Sequence, residues 1–298
     1  MNHFRQQLLF VLKRLIQAIP VLWGIAILNF FLVHMAPGNP ADVLAGEAGS
    51  ATPEYMAMLR AQFGLDQPLW IQLLSYMTNL LQLDLGYSWR HGMPVLELIL
   101  DRLGPTLLLM TSTLLVAVGV GILLGLFAAL RVGQWRDSII STLAIISYAT
   151  PLFWVGLMLI LVFSLKLDLL PATGMENVIM FYEGWDRVVD ILQHLILPTV
   201  TLSLFYLALY TRLMRASILE QHGMDYVVTA RAKGVSERGI LYRHILKNAI
   251  LPVVTMAGFQ TGAMLGGSVV VEAVFGWPGL GQLAFQTLFA RDYNLLLG

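Results

Sequence analysis

The residues of this 298-residue chain that could do chemistry are few, and their types and spacing argue against covalent catalysis. No G-x-x-x-x-G-K-[ST] run is present, so the chain offers no phosphate-cradling loop to a nucleotide. Gly119 and Gly121 lack the rest of a dinucleotide fingerprint and sit in an apolar run, where glycine more often permits close helix packing. There is no H-E-x-x-H, and the six histidines are scattered, which excludes a metalloprotease site. With no cysteine, disulfides, thiolate metal sites, iron–sulfur clusters and cysteine nucleophiles are excluded together. Gly267-Ser268 lacks the second flanking glycine of a nucleophile elbow, and no paired base is evident. What remains is a non-covalent feature, the basic stretch Asp225–Pro252 (DYVVTARAKGVSERGILYRHILKNAILP), where Arg231, Lys233, Arg238, Arg243 and Lys247 gather.

That stretch reads as helix, sharp turn, helix. His222–Ala232 can be helical, Lys233-Gly234-Val235 turns, and Ser236 can cap a second helix running toward Asn248. Gly234 suits the turn because glycine reaches positive φ without a Cβ clash. Such a hairpin is suited to docking a soluble partner. The plainer reading is a solvated basic loop that merely follows the positive-inside rule.

The elements that must position the hairpin are apolar. The chain is 57% hydrophobic and 12% charged, about half the charged share of a soluble domain. It is therefore an integral membrane protein. Uncharged runs at 15–35, 103–130, 138–165, 191–211 and 248–271 are each about the length a helix needs to cross hydrocarbon. Arg5, Lys13 and Arg14 precede the first, which is too long for a signal-peptide h-region and is expected to stay uncleaved. Residues 36–102 are richer in Pro, Gly and acids and predict a small helical excursion, with amphipathic pieces at 54–63 and 69–83. Residues 273–290 contain GWPGLG, whose Gly and Pro break a helix, and predict a loop or re-entrant turn. Residues 103–298 thus form the core, carrying the hairpin at 222–250.

Charge orients the five spans. With residues 1–14 inside, the inner segments hold twelve of the eighteen Lys/Arg and four of the eighteen acids. That asymmetry places the N-terminus and the hairpin in the cytoplasm. No span carries Lys, Arg, Asp or Glu in its interior. Ion-coupled transporters place such residues along their path, so energy for transport must come from a partner at the hairpin. His34 and His194 lie near outer span ends and predict interfacial rings, and Trp89, Trp154, Trp185 and Trp277 predict interfacial anchors. Gly258, Gly262, Gly266 and Gly267 are candidates for pore lining or close helix packing. Pro151, Pro198 and Pro252 are ordinary kinks or helix starts, with hinging as the functional alternative. Residues 176–190 are placed to seal an outer pore entrance.

DYVVTARAKGVSERGILYRHILKNAILPVVT resembles the cytoplasmic EAA loop of ABC importer permeases, most closely the dipeptide/oligopeptide/nickel family. MAPGNPAD (35–42), FGLDQPLWIQLL (63–74), DLGYSWRHGMPVLELILDRLGPTL (84–107) and VVVEAVFGWPGLGQLAFQTLFARDY (269–293) resemble it as well, so the likeness covers about 13–293. It implies an all-α polytopic bundle of the type I importer permease fold. It also implies a second homologous permease, two ABC ATPase subunits that carry the ATP and Mg, an extracytoplasmic substrate-binding protein, and no nucleic acid. ATPase coupling would fall to Asp225, Tyr226, Ala230, Arg231, Ala232, Lys233 and Gly234. Val228 and Thr229 stand where the general EAA pattern has glutamate and alanine. A sixth span is expected after the RDY motif, which this sequence does not include. Short peptides are the implied cargo in a bacterial inner membrane, with nickel, glutathione or another small solute as alternatives. A passive channel or a membrane scaffold would be the readings outside the class.

Overall fold

The computed structural model describes residues 2–35, 52–62, 65–88 and 90–298, so the 35–42 motif and Trp89 lie largely or wholly outside the described residues. The chain divides into two compact units, 1–101 with 286–298, and 102–285.

In the first unit, α1 (Asn2–Met35) is followed by α2 (Pro53–Gln62) and α3 (Leu69–Leu81). Phe30 of α1, almost wholly buried, stacks on Tyr76 of α3 with ring centroids 5.8 Å apart. Burial raises the pKa of the Tyr76 hydroxyl, which donates to the Leu297 carbonyl at 3.2 Å. The excursion is not wholly helical: β1 (Tyr87–Ser88) pairs antiparallel with β2 (Met93–Pro94). Ser88 Oγ donates to the Asp292 carboxylate at 2.5 Å, and Asn294 Nδ2 donates to the Tyr87 carbonyl at 3.0 Å. Two separate sequence motifs, DLGYSW and RDY, thus meet through hydrogen bonds. Asp292 also caps α12 (Tyr293–Leu297) by accepting from Leu295 N. Residues 95–102, read as the end of the excursion, already belong to the long helix α4 (Val95–Ala129).

The second unit holds the rest of α4, then α5 (Trp135–Ala149), α6 (Leu152–Leu159) with a π-helical end (Ile160–Lys166), and α7 (Gly184–His222). The hairpin helices α8 (Asp225–Ala232) and α9 (Glu237–Ile240) follow. A π turn (Leu241–Ile245) leads into α10 (Leu246–Phe275), and after a turn comes α11 (Leu280–Ala290), whose residues 280–285 belong to this unit and 286–290 to the first. Four of the five apolar runs lie in single helices, and the run at 138–165 is helical on either side of a break. Among the described residues, four helices are long and apolar enough to span a membrane, and two bent pairs bring the number to six if each counts as one span.

The run at 138–165 is not one straight helix. It bends by 102° between α5 and α6, at Thr150-Pro151. Thr150 is extended (φ −81°, ψ 131°), as the ring of a following proline demands. Pro198 and Pro252 sit inside helices that continue through them, so only Pro151 of the three coincides with a break. The expected loop at 273–290 is mostly helix, with the end of α10 meeting α11 at 80°. Gly276 stops α10 in the left-handed conformation, φ +59°.

α7 is the spine of this unit. Tyr206, Tyr210, Met214 and Ile218 are buried along it. A Cβ at Gly121 would lie 2.6 Å from Tyr210 Cβ, and one at Gly125 would lie 2.6 Å from Met214 Cβ. α4 and α7 therefore approach at a distance only glycine allows. A Cβ added at Gly119, Gly258, Gly262 or Gly266 would meet nothing from another element within 4 Å among the described residues, so the glycine face of α10 is not where these helices close.

Candidate functional site

The hairpin is built locally and then rooted in the bundle. α7 ends at His222, and the break at Gly223-Met224 sets α8 off as a separate helix, so the expected single helix from His222 starts three residues later. Gly234 takes φ +78° in the turn, where a Cβ would be strained. Its N–H donates to the Arg231 carbonyl at 3.0 Å, and Val235 N donates to the Ala230 carbonyl at 3.2 Å. Ser236 Oγ caps α9, accepting from Gly239 N at 3.3 Å. The second helix does not stop near Asn248. It runs on through the π turn into α10, joining the hairpin directly to a membrane-length helix.

Side chains then fix the two arms. Arg231 forks onto Glu237 across the turn, with Nε to Oε1 at 2.6 Å and Nη2 to Oε2 at 3.1 Å. The pair raises the pKa of the Arg231 guanidinium through that hydrogen bond. Tyr226 donates to Gln221 Oε1 at 2.7 Å, tying α8 back to the last turn of α7. Val227 and Ala230 are buried and join a core shared with Ile218, Ile240 and Ile245.

The residues expected to couple therefore separate into two sets. Ala230 faces inward, where its small side chain lets α8 settle on the bundle, and Tyr226 is half-buried. Asp225, Arg231, Ala232, Lys233 and Gly234 face outward, beside exposed Val228. Arg231 spends its fork inside the hairpin. The outward surface is thus mixed, with Lys233, Asp225 and an apolar spot at Val228.

Several polar contacts were not anticipated. Arg215 of α7 holds buried Asp137 of α5 with two bonds, at 2.7 and 2.8 Å. Since Arg215 is near the end of α7, this contact sets the turn at 130–134 at the same end of the unit as the hairpin. The opposite end is built around Glu272, fully buried in α10. Its carboxylate accepts from Thr106 Oγ1 and from Gln282 N, each at 3.0 Å. Trp277, expected as an interfacial anchor, is instead wholly buried, donating its indole N–H to the Pro105 carbonyl at 2.9 Å. Trp154 and Trp185 remain exposed. His194 is buried rather than interfacial, with Nδ1 2.8 Å from the Asp190 carbonyl, while Asp190 Oδ2 accepts from Asn177 N at 2.6 Å. His34 stacks on Phe30 and lies 3.1 Å from Gln72 Oε1. The apolar runs are free of charge, but the helices outlast them, so Asp137, Asp190, Arg215 and Glu272 lie in helix ends that sequence assigned to loops.

A bundle of membrane-length helices with a stapled hairpin at one end is the architecture of a helical membrane permease. Residues 121–298 match the family described as binding-protein-dependent transport system inner membrane component, and residues 7–111 match its N-terminal counterpart. The dipeptide transport system permease protein of Escherichia coli is 38% identical over 306 residues, covering 97% of this chain and 90% of that protein. The glutathione transport system permease proteins of Escherichia coli and Salmonella typhimurium are each 42% identical over 287 residues, covering 96% of this chain and 89% of theirs. The chain belongs to the binding-protein-dependent inner-membrane permeases, as an ABC importer permease of the peptide family. It is a multi-pass inner-membrane transport subunit.

Proposed function

We propose that this permease forms part of the translocation path for dipeptides or short oligopeptides and that the hairpin at 225–240 couples it to a cytoplasmic ATPase. The observation that carries the reading is the hairpin itself. It is closed by Arg231–Glu237, rooted through Val227 and Ala230, and presents Asp225, Val228, Ala232, Lys233 and Gly234 outward. A rigid protrusion continuous with a membrane-length helix can pass a displacement into the bundle, whereas a floppy loop would absorb it.

In this reading the N-terminus and the hairpin are cytoplasmic, in line with the cations gathered at the hairpin end and with positive-inside. The chain binds no nucleotide. ATP and Mg sit on two ATPase subunits, a second permease completes the path, and a binding protein delivers cargo outside. Glutathione is the second cargo, favoured by the 42% identity to the glutathione permeases. It is itself a short peptide, so both readings share one substrate class.

The test is affinity recovery from gently solubilised membranes, wild type beside Gly234→Trp, with the partner chains identified by mass spectrometry. Wild type should bring down two P-loop ATPases and a second permease, and the variant should lose an ATPase. A wild-type chain that comes down alone sinks the reading. Competition between alanyl-alanine and glutathione in vesicle uptake separates the two cargoes.

A further inference from the structure

We infer that Asp137 and Arg215 form a transmission clamp, positioning residues through which movement of the hairpin reaches α5 and the bend at Pro151. The inference rests on the coupling reading above and deepens it.

Arg215 lies seven residues before the end of α7, about 10 Å along the helix from the hairpin. Its Nε donates to Asp137 Oδ1 at 2.7 Å and its Nη2 to Oδ2 at 2.8 Å. A planar fork on a carboxylate fixes orientation as well as distance. Asp137 is 5% exposed and in the first turn of α5, and its Oδ2 also accepts from Gly133 N at 3.0 Å. Ser141 Oγ, one turn on, approaches Oδ1 at 3.4 Å. The carboxylate therefore joins the 130–134 turn, the start of α5 and the end of α7 at one point.

Packing also holds α4 and α5 against α7. A Cβ at Gly125 would lie 2.6 Å from Met214 Cβ, 2.7 Å from the Thr211 carbonyl and 3.1 Å from Arg215 N, so α4 lies close against the turn of α7 that carries Arg215. At the far end of α5, Tyr148 stacks on Phe205 of α7 with centroids 5.0 Å apart, and Arg212 lies over the Tyr148 ring at 5.6 Å. α5 is thus held to α7 at both ends. Displacement of α7 by the hairpin carries α5 along as a body, and the first place where the chain can change direction is Thr150-Pro151. Beyond that bend α6 packs on Val274 and Phe275 through Gly156, at the Glu272 end of the unit. The clamp is thereby the start of a path from the hairpin end to the opposite end. A buried carboxylate is costly without its partner, so the pair acts as one device and is not two independent surface charges.

The experiment uses the full complex purified from membranes into vesicles with its binding protein, with alanyl-alanine and glutathione as probes. The readout is probe taken up per ATP hydrolysed, which a loss of folding or assembly alone does not move. Asp137→Asn and Arg215→Gln should lower that ratio by about tenfold, a coupling change of the size known for residues between communicating sites. The double variant should be no worse than either single one, because both remove the same contact. Arg215→Lys, which keeps charge but loses the fork, should fall between, and it decides the matter if Asp137→Asn cannot be purified. A wild-type ratio in Arg215→Lys and in whichever other variants assemble, or single losses that add in the double variant, overturns the clamp. Gly234→Trp in the same series separates the two failures. If it keeps both ATPases the coupling reading falls. If it loses one while Asp137→Asn stays fully coupled, only the clamp falls.

Discussion

Arg231 and Glu237 meet as a two-pronged pair across the Gly234 turn, six residues apart, with the shorter contact at 2.6 Å. The cation most prominent in the motif therefore faces its own hairpin and shapes it. Lys233 and Asp225 remain exposed, beside exposed Val228.

Glu237→Gln should loosen the hairpin without unfolding the protein. Both side chains are more than half exposed and solvent screens the pair, so global stability should hardly change. Amide exchange across 225–240 should speed up, and ATPase recovery should fall several-fold, while the midpoint of thermal unfolding in detergent barely moves. Unchanged exchange would mean that Ser236 and the turn hydrogen bonds hold the hairpin alone.

Glycines of two helices should respond with opposite sign to the same substitution. At Gly125 a Cβ would sit 2.6 Å from Met214 Cβ and 2.7 Å from the Thr211 carbonyl, so Gly125→Ala must push α4 and α7 apart. Overpacking of that kind costs about 1–3 kcal/mol. A Cβ at Gly262 would meet nothing from another element within 4 Å among the described residues, and alanine gains up to about 1 kcal/mol of helix propensity. Thermal unfolding of the isolated chain in detergent should show a lowered midpoint for Gly125→Ala and an equal or raised one for Gly262→Ala. If Gly262→Ala also lowers recovery of the second permease, the open face of α10 is where that partner packs.

What the sequence made legible was local. Apolar runs of about 20 residues, a glycine that needs positive φ and a serine that caps a helix each state their structure within a few positions. The bend at Pro151 did not separate itself from Pro198 and Pro252, because a continuous helix accommodates the latter two and only the packing of α5 and α6 decides. The Asp137–Arg215 pair spans 78 positions, and each partner by itself is one more charge near a span end. Trp277 had the composition context of an interfacial ring. Its burial depends on the Pro105 carbonyl, brought beside it from 172 positions away.

Acid should release the 170–187 region only below the usual glutamate range. Arg187 holds Glu176 through Nε at 2.5 Å and Nη2 at 3.2 Å, and this hydrogen bond lowers the Glu176 pKa from its ordinary 4.5. A group whose pKa is depressed on folding contributes stability that is fully present above the unfolded value and is lost as pH falls through the folded one. Amide protection around Glu176 should therefore persist from neutral pH down through 4.5 and fade below it. Glu176→Gln should show weaker protection with no such step. A wild-type step well above that pH would assign the brace to another group.

The opposite end of the unit should prove the least tolerant of change, because one carboxylate satisfies donors from two elements. Glu272 accepts from Thr106 Oγ1 of α4 and from Gln282 N of α11, and Thr106 Oγ1 itself accepts from Leu280 N at 2.8 Å. A Cβ at Gly279 would run into the Glu272 carboxyl and Thr106 Oγ1, so the turn can close over the carboxylate only with glycine there. Glu272→Ala leaves a void and deprives the Gln282 N–H and the Thr106 hydroxyl of their acceptor, each lost partner costing about 1–3 kcal/mol. Thr106→Val removes the hydroxyl from both contacts at similar volume, and Thr106→Ser keeps it. Unfolding in detergent should therefore rank wild type and Thr106→Ser above Thr106→Val, with Glu272→Ala and Gly279→Leu lowest. Thr106→Val matching wild type would show that the Thr106 hydroxyl is dispensable, the α10–α11 turn being held by the Gln282 N–H on Glu272, the Trp277 to Pro105 bond and apolar packing.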